Sequence, residues 1–292
     1  MPPKRKSKQI TESITFESKP SITGGQFQDH LIICYGPPKI GKSTLFSLFP
    51  GAYFLATEPG YKSLNVRKTD LTGKDGVSMW NKFRAVVDSA RAKPQAIQDV
   101  SMWVIDTVTN LSKACMDWTC DQAGVTHPSD QEWGKGWAAY ADEFMEQILS
   151  LASLGKGIAF IAHQSTMEVV SRRMKVTKEA PDLPQTTYRI VNNMSDVILQ
   201  MGYVKQGKVA EELGELRCLY TKPSEVRDAG DRTGKLPDVI KFRKESDAAR
   251  KILSCFSEQD EVKSAEKGEV RKTKKVKRKV EKSKRVRKLV RK

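Results

Sequence analysis

The chain has 292 residues, enough for one sizeable α/β domain with appendages or for two small domains. Its 51 Lys/Arg against 35 Asp/Glu give a formal net charge of +16. No apolar run approaches the length that spans a bilayer, and the opening Met1-Pro2-Pro3-Lys4-Arg5-Lys6 leads into no signal-type segment. The expectation is therefore a soluble, cytoplasmic protein without membrane contact, with a nuclear address left open.

The charge is unevenly placed. Residues 263–292 hold sixteen Lys/Arg against three Glu, residues 1–10 hold four basic residues and no acid, and residues 11–262 come to a net −1. Five cysteines lack any CxxC pair, and Cys34 and Cys218 lie in apolar strand-like runs, which predicts buried free thiols. His30, His127 and His163 are too far apart for a recognisable metal motif.

In chain order, residues 1–27 read as a flexible polar arm or a short edge element, 28–257 as one domain, and 258–292 as a basic tail whose composition predicts disorder. Within the domain, short apolar runs alternate with amphipathic stretches, the pattern of a mainly parallel sheet flanked by helices. Strands are expected at 31–35, 52–56, 102–106 and 158–162, and helices near 42–49, 78–93, 107–123 and 137–154. After residue 190, two apolar runs beginning at Asp196 and Leu216 are separated by a Gly- and Glu-containing turn, which predicts a C-terminal β-hairpin.

The first strand runs into Gly36-Pro37-Pro38-Lys39-Ile40-Gly41-Lys42-Ser43-Thr44, which matches the phosphate-binding loop GxxxxGK[ST] in its strand-to-helix context. Glycine lets backbone N–H groups curl around a phosphate chain at a range that a Cβ would obstruct. Lys42 supplies a mobile charge for β- and γ-phosphates, and the Ser43 hydroxyl suits Mg²⁺. ATP and Mg²⁺ are the cofactors this loop implies.

Met102-Trp103-Val104-Ile105-Asp106 has the form of a Walker B strand, delivering Asp106 to Mg²⁺ beside Ser43; an Asp capping the next helix is the alternative. The following residue is Thr107, not Glu, so the carboxylate that orients the attacking water must come from elsewhere or be missing. Glu58, ending the second strand before Pro59-Gly60, is the best candidate, against a solvated turn Glu. At the end of the fourth strand Gln164 is read as a γ-phosphate sensor, with a simple capping role as the alternative. His163 points either into the core or toward nucleic acid on this reading. Lys42, Glu58, Asp106 and Gln164 thus form the expected catalytic set.

Together these features resemble the RecA-like ATPase core, and within it phage-encoded nucleotide-binding proteins of single-strand annealing or recombination. Further supporting segments are Glu58-Pro-Gly-Tyr-Lys-Ser-Leu64, Trp133-Gly-Lys-Gly-Trp137, Gly157-Ile-Ala-Phe-Ile-Ala-His-Gln164, Pro181-Asp-Leu-Pro184 and Gly230-Asp-Arg-Thr-Gly-Lys-Leu-Pro237. The likeness covers about residues 30–245 and not the tail. It implies that the loop after Gln164, with Arg172, Arg173, Lys175 and Lys178, contacts DNA; a solvated loop is the alternative, since Glu168, Glu179 and Asp182 offset its charge. It also implies that Lys222, Arg227 and Arg232 serve as cations toward the nucleotide of an adjacent subunit, with exposed structural side chains as the alternative.

In the tail, Lys274, Lys275, Lys277, Arg278 and Lys279 are candidates for sequence-independent phosphate contact, against a solubilising or localisation role. The resulting expectation is an ATPase stimulated by single-stranded DNA, assembled as a ring or filament, acting with a single-strand binding protein or recombinase. A non-catalytic scaffold that uses ATP as a structural switch, or a small-molecule or nucleotide kinase, is the alternative.

Overall fold

The computed structural model describes residues 25–73, 75–170, 175–204 and 216–257. The tail candidates from Lys274 to Lys279, together with Arg172 and Arg173, lie outside the described residues.

β1 (Leu31–Gly36), β2 (Ala52–Ala56), β4 (Met102–Asp106) and the first part of β5 (Gly157–Val170) occupy the four expected strand positions. Their near-continuous apolar runs reflect burial on both faces of a parallel sheet. β3 (Arg67–Asp70), which sequence reasoning did not find, is a polar edge strand paired, among the described residues, only with β2. The order β3-β2-β4-β5-β1 is parallel throughout and continues into β7 (Val197–Tyr203), also parallel to β1. Beyond β7 the direction alternates: β8 (Arg217–Tyr220) and β10 (Val239–Phe242) are antiparallel, as is the two-residue β9 (Gly230–Asp231) against β7. The β7–β8 pair is the hairpin expected after residue 190.

Period-two alternation sends successive side chains of β1 to opposite layers. Ile32 and Cys34 pack with α1 (Lys42–Ser47) and α6 (Glu245–Cys255) on one side of the sheet. Ile33 and Tyr35 pack on the other with α2 (Met79–Ala92), α3 (Val108–Ala123), α4 (Lys135–Ala152) and α5 (Gln185–Met194). Ser78 caps α2 by accepting from the Asn81 N–H at 3.2 Å, and Gly124, at φ 66°, closes α3 in the left-handed conformation.

Two expectations need correction. Phe27, assigned to the arm, is fully buried between Phe49 and Phe256, with ring centroids 4.9 and 5.5 Å away, so the core begins before residue 28. The segment after Gln164, read as a loop, is instead a continuation of β5 paired antiparallel with β6 (Lys175–Pro181), from Gln164 opposite Pro181 to Val170 opposite Lys175. Among the described residues no helix is long and apolar enough to cross a membrane. Cys34, Cys115, Cys120 and Cys218 are buried free thiols.

Candidate nucleotide site at the strand ends

Because β1, β2, β4 and β5 run in one direction, the residues at their C-terminal ends share one edge of the sheet. A cavity of about 680 Å³ opens there, lined by loop residues Pro38, Lys39 and Gly41 through Thr44 and, across from them, by Glu58, Tyr61, Asp106, Thr107 and His163. Ile40 does not face it; this loop residue is 1% exposed and anchors the loop in the core.

The loop's shape has separable causes. A Cβ on Gly36 would come within 2.3 Å of the Met201 carbonyl oxygen, so this glycine is required by the close approach of β1 to β7. Gly41, at φ 106°, needs the left-handed region, and Lys39 is there too at φ 61°. Behind Gly41 stands Arg217 at the start of β8. Its guanidinium donates to the Ile40 carbonyl at 2.8 Å and the Arg243 carbonyl at 2.6 Å, and it is paired with Glu245 of α6. Sequence reasoning missed Arg217, although an arginine inside the apolar run Leu216-Arg-Cys-Leu-Tyr220 is a detectable anomaly.

Lys42 is 6% exposed, and its ammonium donates to the carbonyls of Gly36 and Pro37, each at 2.8 Å. Burial lowers its pKa, with Cys34, Asp106 and Glu58 pulling the other way. Ser43 donates to Asp106 Oδ2 at 2.6 Å, and the Tyr61 hydroxyl reaches the Asp106 carbonyl at 3.3 Å. Burial is the main influence raising the Asp106 pKa, so the site carries a desolvated carboxyl beside a hydroxyl. Burial also pushes the Cys34 thiol up to about 12, leaving it unreactive beneath the loop. A hydroxyl and a desolvated carboxyl in contact at the edge of a phosphate-sized loop fit a hard, oxygen-seeking cation such as Mg²⁺.

Glu58 lies opposite the loop. Its Oε1 accepts from the Thr107 hydroxyl at 2.9 Å and the Asn110 amide at 3.0 Å, and His163 Nε2 lies 3.6 Å away. The Asp106–Thr107 peptide is cis. Gln164 is not brought to the cavity. Alternation along β5 turns it away, its Oε1 accepts from Gln200 Nε2 at 3.1 Å, and His163 takes the place on the cavity wall.

The other expected cations are also away from this cavity. Lys222 pairs with Asp238 at 2.7 Å on the surface, Arg232 donates to the Asn193 carbonyl at 3.2 Å, and Arg227 stacks 3.6 Å from the Tyr220 ring centre. Lys175 is exposed at the start of β6, whereas Lys178 pairs with Asp228. That aspartate belongs to a polar cluster near the base of the β5–β6 hairpin. Tyr35 donates to the Asp228 carbonyl at 2.5 Å, Tyr188 to Asp228 Oδ2 at 2.7 Å, and Gln200 to Glu179 at 3.0 Å.

The family described as AAA domain matches residues 29–233. No curated protein matches the chain. Among solved structures, the chain is similar to the flagellar accessory protein FlaH from Methanocaldococcus jannaschii, at 12% identity over 74% of this chain and 85% of that one, with a TM-score of 0.40. It is also similar to the RadB recombinase, at 14% identity over 76% of this chain and 90% of that one, with a TM-score of 0.42.

Proposed function

The chain belongs to the AAA-domain family of P-loop ATPases, and from that premise we propose that it is a RecA-like MgATP hydrolase whose turnover is coupled to single-stranded DNA in annealing or recombination. The observation that carries the ATPase reading is the convergence of Lys42, the Ser43–Asp106 pair and Glu58 on one cavity. Lys42 exchanges the loop's own carbonyls for phosphate oxygens. Ser43 and Asp106 are the residues that would hold Mg²⁺, which when bound neutralises phosphate charge. Glu58 accepts a proton from the attacking water.

The DNA part of the reading rests on charge. The +13 of residues 263–292 cannot be neutralised by a body of net −1, and such a segment releases counterions from a phosphate backbone. Arg172, Arg173 and Lys175 add a second basic stretch in the sequence. In this reading the protein works as a homo-oligomer, and Lys222, Arg227 and Arg232 approach the nucleotide of a neighbouring copy.

The test measures ATP turnover with and without single-stranded DNA, then DNA affinity against salt for the full chain and for a chain lacking 263–292. Stimulation by DNA, with a salt dependence that flattens on truncation by about 0.7 in log–log slope per lost phosphate contact, is the expected result. Turnover indifferent to DNA in the full chain defeats the coupling. Nucleotide binding without turnover leaves ATP as a structural switch. Equal salt slopes leave the tail to solubility or localisation.

A further inference from the structure

The position after Asp106, where many P-loop ATPases carry their water-orienting carboxylate, holds Thr107, and its hydroxyl donates to Glu58 Oε1 at 2.9 Å from the neighbouring strand. Asn110, one turn into α3, donates to the same oxygen at 3.0 Å. Both donors are themselves fixed. The Thr107 N–H donates to Thr57 Oγ1 at 2.6 Å, the Thr57 hydroxyl lies 3.0 Å from the Thr107 carbonyl, and the Thr57 N–H donates to the Asp106 carbonyl at 2.9 Å. Asn110 sits in the first turn of a sixteen-residue helix whose Val108 and Leu111 are fully buried. Glu58 Oε2 accepts no hydrogen bond among the described residues, although Glu58 lines the cavity.

We propose that Thr107 and Asn110 are positioning residues that hold Glu58 by Oε1, so that Oε2 alone is presented to the attacking water. The chain thus divides the task between two strand ends: β2 supplies the base, and the β4–α3 junction supplies its clamp. This inference rests on the ATPase reading and on Glu58 as the base. In the step it serves, the water oxygen forms a bond to the γ-phosphorus while the bond from that phosphorus to the β,γ-bridging oxygen breaks. ADP leaves with the electron pair, and the water proton passes to Oε2. A carboxylate held by one oxygen loses little orientation freedom when it receives that proton, and this is where the clamp acts.

The experiment is steady-state ATP turnover by the full chain for Thr107→Val, Thr107→Ser, Asn110→Ala, Glu58→Gln and the double variant Glu58→Gln/Asn110→Ala. Thr107→Val and Asn110→Ala should each lower kcat about tenfold while KM for ATP stays within about twofold, because the clamp touches the base and not the nucleotide. Thr107→Ser keeps the hydroxyl and should stay within about twofold of wild type in kcat. If Asn110 acts through Glu58, the double variant should be no slower than Glu58→Gln alone. Asn110→Ala slowing the Glu58→Gln protein by the same factor as it slows wild type would overturn the proposal, as would unchanged kcat in both clamp variants. Should Thr107→Val fail to fold, as judged by its melting, Asn110→Ala and the double variant decide. Failure of the underlying reading looks different: Glu58→Gln at the wild-type rate removes the base and the clamp together. Loss of turnover in Glu58→Gln with normal Asn110→Ala and Thr107→Val kinetics removes the clamp alone.

Discussion

From β3 across to β7 every strand of the sheet runs the same way, whereas beyond β7 the strands alternate. In the parallel block all C-terminal strand ends reach one edge, so Gly36, Glu58, Asp106 and His163 meet although more than a hundred residues separate the first from the last. In the antiparallel flank only alternate ends reach that edge. What arrives there is the start of β8 and the residues after β10, bearing Arg217, Arg243 and Glu245, which grip the back of the phosphate loop without lining the cavity. Direction alone thus separates a chemical region from a buttress.

The sharpest way to test that division is Lys42→Ala. It should lower ATP turnover by at least about a hundredfold, the scale of losing one preorganised charged donor, with an unchanged circular dichroism spectrum. Normal turnover in a well-folded variant would break the assignment of chemistry to the parallel block.

Next in size is Arg217→Ala in the flank. Glu245 would be left without its guanidinium and the Ile40 carbonyl without a donor; because the pair is only partly buried, a stability loss of about 2 kcal/mol is expected in denaturant titration. If Arg217 acts only on loop shape, KM for ATP rises several-fold and kcat barely moves. A loss confined to kcat would place Arg217 among the reacting groups and erase the distinction.

Tyr35→Phe sharpens the boundary itself. The hydroxyl donates to the Asp228 carbonyl, with the Glu179 carbonyl 3.1 Å away, and accepts from the Asp228 N–H, so its removal should cost about 1–2 kcal/mol in unfolding free energy, with turnover retained. The smallest effect is expected from Lys222→Ala. Its pair with Asp238 is exposed on both sides, and the stability change should stay below about 1 kcal/mol. A concentration-dependent loss of turnover without loss of stability is the signature expected if Lys222 serves a neighbouring copy.

The same division explains what could be read in the sequence. β1, β2, β4 and β5 are buried on both faces, and that burial writes itself as apolar runs such as Leu31-Ile-Ile-Cys-Tyr35 and Met102-Trp-Val-Ile105. β3, Arg-Lys-Thr-Asp, has one strand partner among the described residues and little to bury, so nothing marked it. The paired strands β5 and β6 carry Thr166, Glu168 and Thr177 as exposed polar residues, a pattern that reads as loop in the sequence. At the site, Lys42, Ser43, Asp106 and Glu58 were legible because motif spacing or a strand end located them. Thr107 and Asn110 were not, since a hydroxyl and an amide become informative only when β2 is known to lie beside β4. The placement of His163 against Gln164 turned on a single step of the pleat, the shift that exchanges the two sides of a strand.

Gly36 and Lys42 stand only six residues apart, yet they answer to different demands. The close approach of the Met201 carbonyl requires glycine at 36 with or without a phosphate in the loop, and Gly41 is held at φ 106°, where any other residue would be strained. A descendant of this chain that had abandoned nucleotides would still inherit both glycines, because losing either would disrupt the strands and helix around them. The lysine would be free to drift. In distant kin, then, a surviving pair of glycines testifies to shared architecture, and only the lysine and its serine neighbour testify to a shared trade.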